Sequence, residues 1–290
     1  DSIWISWPYN KNDWPGLFSY IPITVGEIIA AISKNEKVNL ILKINETISR
    51  IKKILINLKA KLKNIKFFKI SSNRIWIRDF GPVFLINKKN KVFLNFSFNG
   101  WSKYNDYKKD NKINNAISRL TKVKKIEPVI KIGKKIKKVV LEGGAIDVNG
   151  NGSILLTKEC LLSKTQERNP GMTKLMYEKI LSHLLNVKNF IWLNKGIKGD
   201  DTHGHIDDIS RFVSKDTIMT AVEKSKNDKN YSILKQNLNI LKKTKDLNGK
   251  RFKIIKIPMP KAIYIKNIRV PASYMNFLIC NKIVLLPLFN

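Results

Sequence analysis

The chain has 290 residues, 43% of them apolar, enough to bury one large core or two smaller ones. Its 55 Lys and Arg against 22 Asp and Glu give a formal charge of +33, and no apolar run is long enough to cross a bilayer, which excludes a spanning helix. Arginine, the better reader of phosphates and bases, supplies only 8 of those 55, so the excess reads as A/T-rich codon usage in Lys, Ile and Asn rather than as nucleic-acid binding.

Short apolar strands alternate with amphipathic helices along the chain. Ile3-Trp4-Ile5 predicts a strand, and Thr24-Val25-Gly26-Glu27 has capping-box spacing that opens a helix through Ile32. Val38 to Leu42 reads as a strand. Ile44, Ile48, Ile51, Leu55, Leu58 and Leu62 then line one face of a long helix. Ile65 to Ile70 is a further strand. Val83 to Ile86 and Val92 to Phe96 flank Asn87-Lys88-Lys89-Asn90 as a hairpin. A helix follows over Ile113 to Leu120, then strands at Val139 to Leu141 and Ile154 to Leu156. Met172 to Leu185 is helical and Phe190 to Leu193 extended; Tyr231, Leu234, Leu238 and Leu241 line a helix. Phe252 to Ile257 and Ile283 to Leu286 close the series as strands. The alternation predicts an α/β or α+β fold in one domain spanning 1–290.

Three segments could carry chemistry. In Trp76-Ile77-Arg78-Asp79-Phe80-Gly81-Pro82, the Gly-Pro turn leaves Asp79 at a strand end; the plain alternative is a structural Arg78–Asp79 pair. Glu142-Gly143-Gly144 lets backbone approach a ligand, or is a tight turn with a capping Glu; the helix and Lys-Ser/Thr of a phosphate loop do not follow it. Gly199-Asp200-Asp201-Thr202-His203-Gly204-His205-Ile206-Asp207-Asp208 places two of the three histidines beside four carboxylates. Two readings of this stretch stay open. His203 and His205, pointing to one side as i and i+2, ligate a divalent metal with Asp207 and Asp208. Alternatively, His205 is a metal-free general acid/base and Asp207 a carboxylate for a cation. Cys160 and Cys280 lack CxxC partners and read as buried packing thiols in a reducing cytoplasm.

Taken together and in order, these segments resemble the agmatine deiminase family, which includes bacterial-type peptidylarginine deiminase. The resemblance runs from Trp4–Pro8 and Trp14-Pro15-Gly16 through the three segments above. It takes in Thr157-Lys158-Glu159-Cys160-Leu161-Leu162 and Arg168-Asn169-Pro170, and ends at Pro271-Ala272-Ser273-Tyr274-Met275-Asn276-Phe277. It implies a pentein fold, a five-bladed α/β propeller of ββαβ-type units. It also implies cofactor-free, metal-free hydrolysis of a guanidinium C–N bond by a cysteine thiolate, with agmatine converted to N-carbamoylputrescine on a route to putrescine. His205, Asp79 and Asp207 then become the catalytic set: Asp79 and Asp207 grip the guanidinium nitrogens, and His205 protonates ammonia and later activates water. Trp76, Glu142 and Asp201 become substrate-binding residues. The family's nucleophile sits in a Gly-Gly-rich segment ending His-Cys, downstream of the Pro-Ala-Ser-Tyr motif and outside these 290 residues. The expectation is therefore a sequence incomplete at both ends, its last blade unfinished and little active without that segment. Expected partners are a small cationic guanidino substrate, with no nucleic acid and no membrane and with a homo-oligomer allowed. A peptidyl-arginine deiminase and a catalytically dead guanidino-binding relative are the alternatives.

Overall fold

The computed structural model describes residues 2–87 and 90–289. Tertiary contacts divide them into two compact units. The first holds the described residues through Gly100, Tyr104–Ile126 and Leu278–Leu285; the second holds Trp101–Lys103, Glu127–Phe277 and the described residues from Leu286 onward.

The first unit opens with β1 (Ser2–Ser6), α1 (Ile21–Ser33), β2 (Lys37–Leu42), α2 (Ile48–Asn57) and β3 (Ile65–Lys69). The three strands run parallel in the order β1-β2-β3. Central β2 is covered on both faces, with Val38, Leu40, Ile41 and Leu42 fully buried, which is why it reads as an apolar segment broken only by Asn39. Ile29 and Ile32 of α1 and Ile51 and Leu55 of α2 pack into the same core. Both helices differ from the sequence expectation. Helix α1 starts at Ile21 with a proline in its first turn; Thr24 is no cap, and its Oγ1 donates back to the Tyr20 carbonyl at 3.3 Å. Helix α2 is shorter than predicted, because Lys59 turns left-handed (φ 57°) and the Ala60 N–H returns to the Leu55 carbonyl.

Asp79 lies not at a strand end but in the single-turn helix α3 (Ile77–Phe80). Next come β4 (Val83–Ile86), the antiparallel β5 (Lys91–Leu94), α4 (Asp110–Thr121) and β6 (Lys124–Ile126), which runs parallel to β5. Lys88 and Lys89 of the expected turn lie outside the described residues. A hairpin of Leu278–Cys280 and Ile283–Leu285 also belongs to this unit, and Cys280, Ile283 and Leu285 pack on its core.

The second unit begins with a hairpin the sequence pattern did not predict, β7 (Val129–Ile132) and β8 (Lys135–Lys138). The strand expected at Val139 to Leu141 is instead buried extended chain. The Asn169 amide stands in for a neighbouring strand there: Oδ1 accepts from Val140 N at 2.8 Å and Nδ2 donates to Val140 O at 2.7 Å. Two further ββαβ units follow. β9 (Asp147–Val148) and β10 (Ser153–Thr157) are antiparallel; after α5 (Lys158–Leu162) and α6 (Lys174–Leu185), β11 (Asn189–Leu193) joins parallel to β10. β12 (Ser210–Ser214) and β13 (Thr217–Val222) are antiparallel, and after α7 (Tyr231–Lys243) β14 (Lys253–Pro258) joins parallel to β13. The pattern of hairpin, helix and parallel strand thus occurs three times among the described residues. None of their helices is long and apolar enough to cross a membrane.

Candidate active site

The histidine-bearing loop lies between β11 and β12 and is wound by one side chain. Asp200 Oδ1 accepts from Thr202 N at 2.8 Å and Thr202 Oγ1 at 2.5 Å; Oδ2 accepts from Gly204 N at 2.7 Å and His205 N at 3.0 Å. Gly204 is left-handed (φ 96°), and its carbonyl accepts from Thr157 Oγ1 at 2.5 Å. A methyl group on Gly196 would collide with the Gly204 backbone, so the loop needs glycine at both positions.

These turns separate the two histidines. His203 has φ 64° and sets Nε2 3.2 Å from Ser163 Oγ, whereas His205 is buried with Nε2 3.8 Å from Glu142 Oε2 and Nδ1 4.0 Å from Asp207 Oδ1. Same-side pointing at i and i+2 requires extended backbone, which left-handed His203 and Gly204 do not supply. The donor set His203, His205, Asp207 and Asp208 is therefore not gathered, and His205 lies beside the carboxylates of Glu142 and Asp207.

Glu142 precedes the single turn Gly143–Ala145 without capping it. Its fully buried carboxylate instead accepts from Arg168 Nε through Oε1 at 3.0 Å. The rest of the Arg168 fork is spent on main chain, Nη1 to Gln166 O at 2.9 Å and Nη2 to Thr202 O at 2.5 Å. Burial by itself raises the Glu142 carboxyl, but the Arg168 guanidinium and then His205 outweigh it and lower its pKa to about 2. Asp208 goes the other way. Burial first, then neighbouring Asp207 and Asp200, push its carboxyl well above the ordinary range. Asn276 Nδ2 donates to Asp208 Oδ1 at 3.0 Å and Ser273 Oγ to Asp208 O at 2.7 Å, which fixes what the Ser273–Asn276 motif does.

The remaining expected residues are Asp201 in the same unit and Asp79 and Trp76 in the first. Asp201 is 48% exposed at its side chain and paired with Lys103 Nζ. In the first unit, Asp79 is buried on α3, and Trp76 is exposed, its ring 5.6 Å from that of Trp14. Three residues without an assigned role join the Glu142–His205 cluster: Arg168, Asp200 and Cys160. Cys160 is buried as expected, but it is more than packing: its Sγ, a Glu142 oxygen and a His205 nitrogen lie within 4.8 Å of one another.

A buried histidine between two carboxylates, one braced by arginine, can hold and move a proton beside a cation. The model of the Porphyromonas-type peptidyl-arginine deiminase family matches residues 1–290. The chain belongs to this family. It is 31% identical to C. jejuni agmatine deiminase solved with substrate bound, covering all of this chain and 80% of that one at a TM-score of 0.84. Against the Enterococcus faecalis agmatine deiminase structure the identity is 26% and the TM-score 0.85, covering 100% and 81% of the two chains. The agmatine deiminase of Medicago truncatula is 29% identical over 99% of this chain and 81% of its own. The α/β architecture of this deiminase-family chain, with its repeated ββαβ units, is accordingly the pentein fold.

Proposed function

We propose that this deiminase-family chain hydrolyses a guanidino C–N bond, with agmatine as substrate and N-carbamoylputrescine and ammonia as products, in a cytoplasmic route to putrescine. The observation that carries the reading is His205, buried between the carboxylates of Glu142 and Asp207. The agmatine deiminases of C. jejuni and Medicago truncatula among its relatives support agmatine as the guanidino compound.

In this mechanism a cysteine thiolate attacks the guanidinium carbon and forms a C–S bond. The C–N bond breaks, and His205 gives its proton to the departing ammonia. His205 then takes a proton from water, whose oxygen attacks the same carbon; the new hydroxyl loses its proton to solvent as the C–S bond breaks, and the ureido product leaves with the thiolate restored. Asp207, and by its motif Asp79, accept the guanidinium N–H groups, since a planar cation suits paired carboxylate acceptors. Trp76 offers a ring face to the cation. Glu142, its pKa lowered by Arg168, sets a carboxylate oxygen 3.8 Å from His205 Nε2. Asp201, paired with Lys103, is by its motif a further substrate-binding carboxylate. No metal or cofactor enters these steps. The nucleophile belongs to the His-Cys segment that follows the Pro-Ala-Ser-Tyr motif in the family pattern, with residues 1–290 as one catalytic domain.

Incubating the full-length protein with agmatine should release ammonia and a ureido product in equal amounts. An arginine-containing peptide, assayed in parallel, should be turned over far more slowly. Preference for the peptide transfers the assignment to peptidyl-arginine. No product from either, with the downstream cysteine present, overturns the enzymatic reading in favour of a guanidino-binding relative.

A further inference from the structure

We propose that Glu142, Cys160 and His205 together form a binding site for a soft divalent cation of the Zn2+ type, and that its occupation switches the deiminase off. Binding stands on geometry alone; the inhibition rests on the role given to His205 above.

The three donors come from three separate segments, each fixed on its own account. Cys160 is on α5, where Thr157 Oγ1 accepts its N–H at 3.2 Å. Glu142 is anchored by Arg168 through Oε1, so Oε2 is the oxygen turned to His205. Asp200 holds the His205 backbone. Relative exposures are 0%, 1% and 3% for Glu142, Cys160 and His205, and the donor atoms lie within 4.8 Å of one another. Among the described residues no other His, Cys, Asp and Glu side chains cluster in this way.

Zinc bonds of about 2.0–2.3 Å at tetrahedral angles put neighbouring ligand atoms roughly 3.3–3.8 Å apart. The Glu142–His205 separation of 3.8 Å already meets this, and the thiol needs to close by about 1 Å at most. One sulfur, one nitrogen and one oxygen are a borderline-soft set, matched to Zn2+ and poorly to Mg2+ or Ca2+, which require cages of oxygen. The charges also balance. The ion displaces the Cys160 proton to solvent, and a thiolate with a carboxylate neutralises two positive charges. Arg168 stays opposed by the acidic loop. A fourth position remains for water or a small thiol. The nitrogen bound to the metal can no longer carry a proton to ammonia.

The test uses the full-length protein stripped by chelator. Zn2+ should remain at one equivalent per chain after desalting. Co2+, used as a probe, should give sulfur-to-cobalt charge-transfer absorption in the near ultraviolet. Cys160→Ser should abolish that absorption and weaken zinc retention by more than about 100-fold, since even outer partners of a ligand are worth 10–100-fold. Melting of Cys160→Ser in the absence of metal checks that the variant folds, and Glu142→Gln supplies an independent ligand change. Agmatine turnover should fall with the first equivalent of Zn2+, recover with chelator and ignore Mg2+. No retained zinc, or retention and inhibition unchanged in Cys160→Ser, overturns the site, the latter pointing to the downstream cysteine. Retained zinc in a protein that deiminates nothing overturns the proposed activity and leaves the metal site standing.

Discussion

His205 has a carboxylate on each side of its ring, and in the proposed mechanism it passes the proton to ammonia. His205→Gln in the full-length protein is expected to lower kcat by about 10²–10⁴-fold with the melting curve little changed. A decrease of less than tenfold would remove it from proton transfer. Arg168→Ala has the opposite signature. It strands Glu142 as a buried carboxylate and should cost about 3–5 kcal/mol of stability, read from urea denaturation. Arg168→Lys should recover only part of that, because an ammonium cannot serve Glu142 and two carbonyls in one plane. His205, Asp207 and Glu142 were legible from the sequence because their motifs are contiguous and chemically unusual. The place of Cys160 was not: its neighbours come from 18 and 45 positions away, and a Cys after Glu159 in an apolar stretch looks like any core thiol.

The elements that could be read were those whose burial follows a simple period. β2, covered on both faces, gives a mainly apolar segment interrupted only at Asn39, and α7 shows its buried stripe at Leu234 and Leu241. The β12–β13 hairpin hides because Ser210 and Thr220 face each other inside the core, hydroxyl to hydroxyl at 2.7 Å, so polar residues occupy positions where an alternation would demand apolar ones. A register shift between Phe212 and Ser214 breaks the period again. β7–β8 hides behind its lysines, which leave Ile130 and Ile132 as the partly covered face. The connection from β11 into the site loop gives a sharp test. Gly196→Ala forces backbone against backbone at Gly204, where no side-chain rotation relieves it. The variant should lose about 1–3 kcal/mol of stability and most of its activity. Unchanged turnover and melting would mean that the loop accommodates the shift without moving His205.

Across the molecule, +33 opposes the approach of any cation. Raising ionic strength from about 0.01 to 0.15 M should therefore increase kcat/KM for agmatine, by up to about tenfold, as screening weakens the long-range repulsion. A decrease would mean that the acids of the site loop govern the field the substrate meets. Stability should depend on pH through the first unit. Burial pushes Asp110 up to about 7 and Asp13 up to about 6 from an ordinary 3.8, in spite of the Asp110 bonds from Asn73 and Arg74 and the pairing of Asp13 with Arg74. Between these limits the folded chain keeps protons the unfolded chain has released. Stability is then full near pH 4 and declines as pH rises through 6–7. The urea midpoint should be higher at pH 5 than at pH 8, and Asp110→Asn should flatten most of that difference; a midpoint rising over this range contradicts it. The site loop, by contrast, is fastened to distant parts of its own unit, by Thr157 and Glu159 near one end of α5 and by Ser273 and Asn276 far downstream. None of these anchors can let go without loosening the ones beside it. Heat inactivation and melting of the second unit should thus be a single event, leaving no partly unfolded population that still turns over substrate.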